Sequence, residues 1–262
     1  ERRRVLWQEP LPAVELADRL RRIRLFDFVS VDELFRVASL GRQVRHEVGR
    51  DNVFFLLVLP LFFAAKTLLL SPEHLNLGWS MTLGLFRVAF LVMLERTLTQ
   101  FMRAAFQVDI LRRPTIDTSI KALAALLVFA GLLPSPLATG LELLLALLLL
   151  GRFAFWHPLK AFTRLDIGIM FLGYLAITAQ LLIDALPPPG ATGWVGTVSV
   201  HVFTFGAMGL VIPAMIVRIA NGHTGRKVVF GKLEKAVLWI MIAAFFLRLV
   251  GPQLMPGAYL RW

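Results

Sequence analysis

The chain of 262 residues contains five histidines and no cysteine, and this sets the metal chemistry open to it. Without thiolates, disulfides, Cys-zinc sites, thiolate-ligated haem and iron–sulfur clusters are excluded. Imidazole remains, and one imidazole sits inside an apolar run, His201-Val-Phe-Thr204-Phe205-Gly206-Ala207-Met208-Gly209. Neutral imidazole ligates haem iron and copper, whereas a buried histidine without a partner is costly. On an α-helix Thr204 and Met208, at i+3 and i+7, share the His201 face. Gly206, Ala207 and Gly209 thin the helix there, so that a neighbouring helix or a flat macrocycle can approach. The competing reading is a histidine hydrogen-bonded across helices beside a small-residue seam.

His223 lies in Gly222-His223-Thr224-Gly225-Arg226, a glycine-flanked turn. Such a turn permits close backbone approach to a bound group. Equally, it is a helix C-terminus with His and Arg set against the negative end of the dipole. His201 and His223 are 223 − 201 = 22 residues apart, about 33 Å along a continuous helix, so they cannot both ligate one iron. His46 and His74 fall in polar segments and read as solvated. His157, between Trp156 and Pro158, reads as an interface anchor.

Charged side chains inside apolar runs are the next candidates, because each costs a few kcal/mol unless it faces protein or water. Arg87, Glu95, Arg96, Glu142 and Arg248 lie deep in such runs; Lys66 and Asp184 lie near ends, where Lys66 can snorkel. Arg96, Gln100 and Arg103 recur at i, i+4 and i+7 on one helical face. They suit an anionic group such as a haem propionate or a lipid phosphate. The alternative for these charges is interhelical ion pairing, for example Glu142 with Arg248.

The elements that position these groups follow from composition. The chain is 57% hydrophobic and 17% charged, with a mean hydropathy of +0.71, which fits a water-soluble domain badly. Seven stretches approach the roughly 20 apolar residues that cross a bilayer: about 53–71, 79–100, 119–134, 137–155, 167–186, 195–218 and 237–254. The third and fourth form a tight hairpin at Pro134-Ser135-Pro136. The alternation of an outer-membrane barrel is missing, so the predicted class is all-α, a polytopic helical membrane protein. The net charge of +11 is therefore no nucleic-acid face.

Lys and Arg orient the spans. Arg103, Arg112, Arg113, Lys121, Arg152, Lys160, Arg164, Arg218, Arg226, Lys227, Lys232 and Lys235 all fall on one side, against Arg261 on the other. The positive-inside rule makes the basic side, and with it the N-terminus, cytoplasmic. Residues 1–50 differ in kind from the bundle at 51–262. They hold eleven Arg, lack a spanning run or signal peptide, and carry a predicted capping box, Ser30 with Glu33. They read as a surface-lying amphipathic segment or a protein-partner site.

At the sixth span the residues resemble a known family. His201-Val-Phe-Thr-Phe-Gly-Ala-Met-Gly-Leu-Val-Ile-Pro-Ala-Met-Ile-Val-Arg, followed by Gly222-His223-Thr224-Gly225-Arg226, is similar to the signature of the NnrS family. Gly173-Tyr174-Leu175, Trp156 and Arg96 extend the resemblance, which covers roughly 53–262. It implies a bacterial inner-membrane protein that binds haem and copper and serves nitric oxide metabolism and defence against nitrosative stress. Under it His201 is the axial ligand, with Met208, Arg96 and Tyr174 around the cofactor, and His223 with Arg226 forms a cytoplasmic-side metal site. Full members resemble bundles of about twelve helices, so this chain corresponds to a later part. Two departures bear on metal content: a His-Ala-His-Glu motif is absent, and Phe171 stands where many members carry His.

Three functions compete on this reading. The first is a haem-binding protein, with copper as a second metal, whose ligand is nitric oxide or a related small molecule. Two intramembrane carboxylates, Glu95 and Glu142, are few for a proton path, so protection or sensing competes with catalysis. The second is a secondary transporter for a metal or anion; the third is a non-catalytic anchor subunit of a respiratory complex.

Overall fold

A computed structural model describes residues 21, 30–33, 50–108, 110–111, 113–186, 193–224 and 228–257. The chain divides into two compact units, Glu1–Leu57 and Val58–Trp262. In the first, the predicted capping box is formed. The Ser30 hydroxyl and N–H both donate to one Glu33 carboxylate oxygen at 2.8 and 3.1 Å, and the Glu33 N–H donates back to Ser30 Oγ at 3.3 Å. These hydrogen bonds, the side-chain one foremost, hold the Glu33 carboxyl below the usual glutamate range. A lowered folded value means the cap is fully present above the ordinary value of about 4.3 and is lost as pH falls through the folded value. In an acid titration followed by NMR, the Ser30 amide resonance should move with Glu33 below about pH 4.3, and Glu33→Gln should abolish that movement.

The described elements are helical throughout, with no strand among them. Helix α1 is Arg50–Leu69, α2 Leu75–Phe106 and α3 Pro114–Leu126, which tightens into a 3₁₀ stretch over Leu127–Leu132. After the Pro134 turn come α4, Ser135–Phe155, a short α5, Pro158–Ala161, and α6, Leu165–Ala185. A sixth long helix is built in three pieces: α7, Val198–His201, a π-wound segment Val202–Met208, and α8, Gly209–His223. Helix α9, Lys232–Leu254, is the last of these elements. Six helical stretches are long and apolar enough to span a membrane; the first predicted span corresponds to α1, whose Val58–Leu69 part forms a shorter apolar helix. The protein is an all-α, multi-pass membrane protein. In lipid only structures that satisfy their own backbone groups can cross, which is why apolar runs of this length become helices.

Helix α6 is the pillar. It packs against α2, α4, the π-wound segment and α8, and 72% of its apolar window is buried against 22% for α4 and α9. Between helices in lipid there is little hydrophobic gain, so close approach decides the packing. A Cβ at Gly173 on α6 would run into Val211, and one at Gly206 would stand 2.6 Å from Ala176 Cβ. The two glycines let α6 lie close against α8 and the π-wound segment. Threonines within the helices donate to carbonyls four residues back, such as Thr82 to Gly78 O at 2.7 Å and Thr97 to Met93 O at 2.9 Å, which hides their hydroxyls from lipid.

Candidate functional site

Three polar layers cross the apolar bundle. The first surrounds His201. Arg248 Nη2, from α9, donates to His201 Nε2 at 2.8 Å, and Thr197 Oγ1 lies 3.4 Å from the same nitrogen. The Phe205 ring meets the imidazole edge-on at 5.9 Å between centroids. A guanidinium has donors only, so Nε2 must be the acceptor and the imidazole is neutral with its proton on Nδ1. Directly below, Val202–Met208 is π-wound, and Gly209 N–H donates to Thr204 O, five residues back. Pro213 inside α8 supplies no N–H for the next turn. π-turns of this kind mark functional sites in many helices. They also hold more residues per turn than an α-helix, so the register that would set Met208 on the His201 face no longer applies.

The second layer lies at the same end of the bundle, on α6 and α2. Arg87 is 4% exposed; its Nε donates to Gln180 Oε1 at 3.1 Å, and its Nη2 stands 3.9 Å from Asp184 Oδ2. Gln180 Nε2 donates to Asp184 Oδ2 at 2.7 Å, and the Ser199 hydroxyl also reaches this carboxylate. Glu142 on α4 feels the charges of both Arg87 and Asp184. These side chains line a cavity of about 500 Å3, closed on another wall by Trp194 and Thr197. The predicted pairing of Glu142 with Arg248 is thus replaced: Glu142 faces Arg87 and Asp184, and Arg248 turns to His201.

The third layer is built on Arg152, toward the basic end of the bundle. Its side chain is 3% exposed, with Nη1 at 3.4 Å from Glu95 Oε2 and 3.5 Å from Asp117 Oδ1. Nε donates to Tyr174 OH at 3.1 Å, and Tyr174 OH donates to Leu149 O at 2.9 Å. Lys121 completes Glu95 from the other side at 3.0 Å, and the guanidinium lies 4.7 Å from the Trp156 ring centroid. Nearer the end, Asp166 takes Arg164 through two hydrogen bonds and Arg218 at 2.7 Å.

The predicted site residues are therefore not gathered in one place. Tyr174, fully buried, is spent on Arg152 and Leu149, ten residues along α6 from Asp184, or about 15 Å. Arg96 is exposed on α2, nine residues beyond Arg87 toward the basic end. His223 closes α8 at that same end; its side chain and Arg226 lie outside the described residues, as does His46. His74 pairs with Ser71 Oγ at 3.1 Å. His157 is exposed, with φ of 50° ahead of Pro158.

Sequence reasoning passed over Asp117, Gln180, Trp194 and Ser199, and it counted Arg152 as an ordinary basic-side charge. The i, i+4 spacing of Gln180 and Asp184 on an otherwise apolar helix was the available signal.

Among the described residues no three His, Asp or Glu side chains group as metal ligands. One imidazole, His201, is of a donor type that ligates haem iron, and in this structure its Nε2 is taken by Arg248. No curated protein and no solved structure matches the chain. The family model described as NnrS protein matches residues 28–262, taking in residues 28–52 as well as the resembling span signature; the chain belongs to the NnrS family.

Proposed function

We propose that this protein is a haem-binding membrane protein of the nitric oxide response, with copper as a second metal, set in a bacterial inner membrane with its basic end cytoplasmic. The observation that carries the reading is the imidazole of His201, met by Arg248 directly ahead of the π-wound segment and within the family signature. Haem, when bound, supplies an iron that takes diatomic gases and single electrons. His201 would hold the iron, and Arg248 beside it would pair with an anionic edge of the cofactor. Residues 1–50 remain the candidate surface for a protein partner, and His223 remains a candidate for the second metal.

The test is the visible absorption spectrum of the detergent-purified protein, oxidised, reduced, and reduced with nitric oxide. A Soret band that shifts with the gas and falls at least tenfold in His201→Ala is expected. A haem-replete preparation without a Soret band would overturn the reading.

A second reading, a secondary transporter, draws on the polar layers at both ends of the α2–α6 interface, where Arg87 and Glu95 sit eight residues apart, or about 12 Å. Under it, transport by His201→Ala equals that of the unsubstituted protein and needs no haem.

A further inference from the structure

The cavity beside α6 plays no part in the haem reading and stands on its own geometry. At about 500 Å3 it lies within the roughly 300–1,000 Å3 of small-molecule sites and is far larger than a single ion requires. Its walls carry one guanidinium, Arg87, and two carboxyl groups, Asp184 and Glu142. Arg87 is committed to Gln180, and through a 3.9 Å gap, too long for a hydrogen bond, to Asp184. Asp184 is further held by Gln180 and Ser199. Across the cavity, Glu142 feels both charges, yet among the described residues no donor hydrogen-bonds its carboxylate. One guanidinium faces two carboxyl groups, and Glu142 is the one that no described donor meets.

A carboxyl group within a span calls for a partner, and among the described residues lining the cavity the one cation, Arg87, is engaged with Gln180 and Asp184. The remaining walls suit a ligand with an apolar body. Leu83 and Leu127 line one part, and Trp194 offers a ring of the kind that attracts an ammonium.

We propose that this cavity binds a small organic monocation, a protonated amine with an apolar body, its ammonium on Glu142 and its body among Leu83, Leu127 and Trp194. Neither haem nor its absence enters this assignment. The ammonium could come from a dissolved amine or from the headgroup of phosphatidylethanolamine, since both present the same chemistry.

The experiment is calorimetric titration of the full chain in phosphatidylglycerol nanodiscs with benzylammonium chloride and, separately, sodium benzoate at equal ionic strength. Saturable binding of benzylammonium with at least tenfold weaker binding of benzoate is expected, with Glu142→Gln weakening the amine at least tenfold. Trp194→Leu should weaken it several-fold, and Trp194→Phe should restore most of that loss. In nanodiscs half composed of phosphatidylethanolamine, a weakened amine affinity assigns the site to the headgroup, and an unchanged one assigns it to a dissolved amine. Benzoate binding as well as the amine, neither binding, or Glu142→Gln binding like the unsubstituted protein would each overturn the proposal. The comparison of the two probes needs no variant, so misfolding of Glu142→Gln cannot mask the answer. The Soret band of His201→Ala reports on the haem reading separately.

Discussion

Arg152→Met should lower the stability of the detergent-solubilised protein by about 3–5 kcal/mol, the range for breaking a buried ion pair by removing one partner. Through one guanidinium α4 holds Glu95 of α2, Asp117 of α3 and Tyr174 of α6. Methionine fills most of the volume but leaves Asp117 facing an apolar side chain, and Glu95 with Lys121 as its described partner. The loss should therefore arise from stranded acids rather than from a void. Adding Glu95→Gln and Asp117→Asn to Arg152→Met tests this: the triple variant should recover much of the loss, because whole buried ionic sets are replaced at small net cost. Thermal unfolding followed by circular dichroism measures both. A triple variant no more stable than Arg152→Met would mean that packing rather than charge governs the layer.

Gly84→Ala should destabilise by about 1–3 kcal/mol, and Gly151→Ala should stabilise by up to about 1 kcal/mol. Both glycines are helical, and by propensity alone alanine is the better residue at each. At Gly84 an added Cβ stands 2.8 Å from Val128 Cα, a backbone atom of the 3₁₀ stretch that cannot rotate away. The hairpin of α3 and α4 would have to back off from α2. At Gly151 nothing lies within 4 Å, so only the helix's own preference remains. Equal signs for the two substitutions in the same unfolding assay would show that α2 and the 3₁₀ stretch do not meet as closely as described.

How far the sequence carried this picture depended on whether the deciding interaction was local. The capping box at Ser30 and Glu33 was legible because both partners lie within one turn. The spans were legible because apolar length alone decides them, yet their ends moved. Helix α3 starts at Pro114 rather than near 119, because Asp117, which an apolar count rejects, is paired across helices and enters the span. Arg152 was misjudged for the same reason: its partners come from three other helices, and no periodicity within α4 announces them. The π-winding at 202–208 broke the i+7 relation of His201 to Met208. The cluster Gly206-Ala207-Met208-Gly209 followed by Pro213 was its only local trace. Arg248 as the partner of His201 lay 47 residues away, beyond any spacing argument.

Helix α2 has a consequence in its length. Its 32 residues extend about 48 Å at 1.5 Å per residue, whereas the hydrocarbon of a bilayer is about 30 Å thick. Tilt absorbs only part of such an excess, since helices lean by about 20° on average. If the Leu75 end sits at one edge of the hydrocarbon, the far end overshoots the other by several residues, and Arg96, Gln100 and Arg103 are on the overshooting part. All three are exposed. They stand at the level of the phosphates, where arginine is at home, and an anion held there would be reached from the headgroup layer rather than from the interior that houses His201.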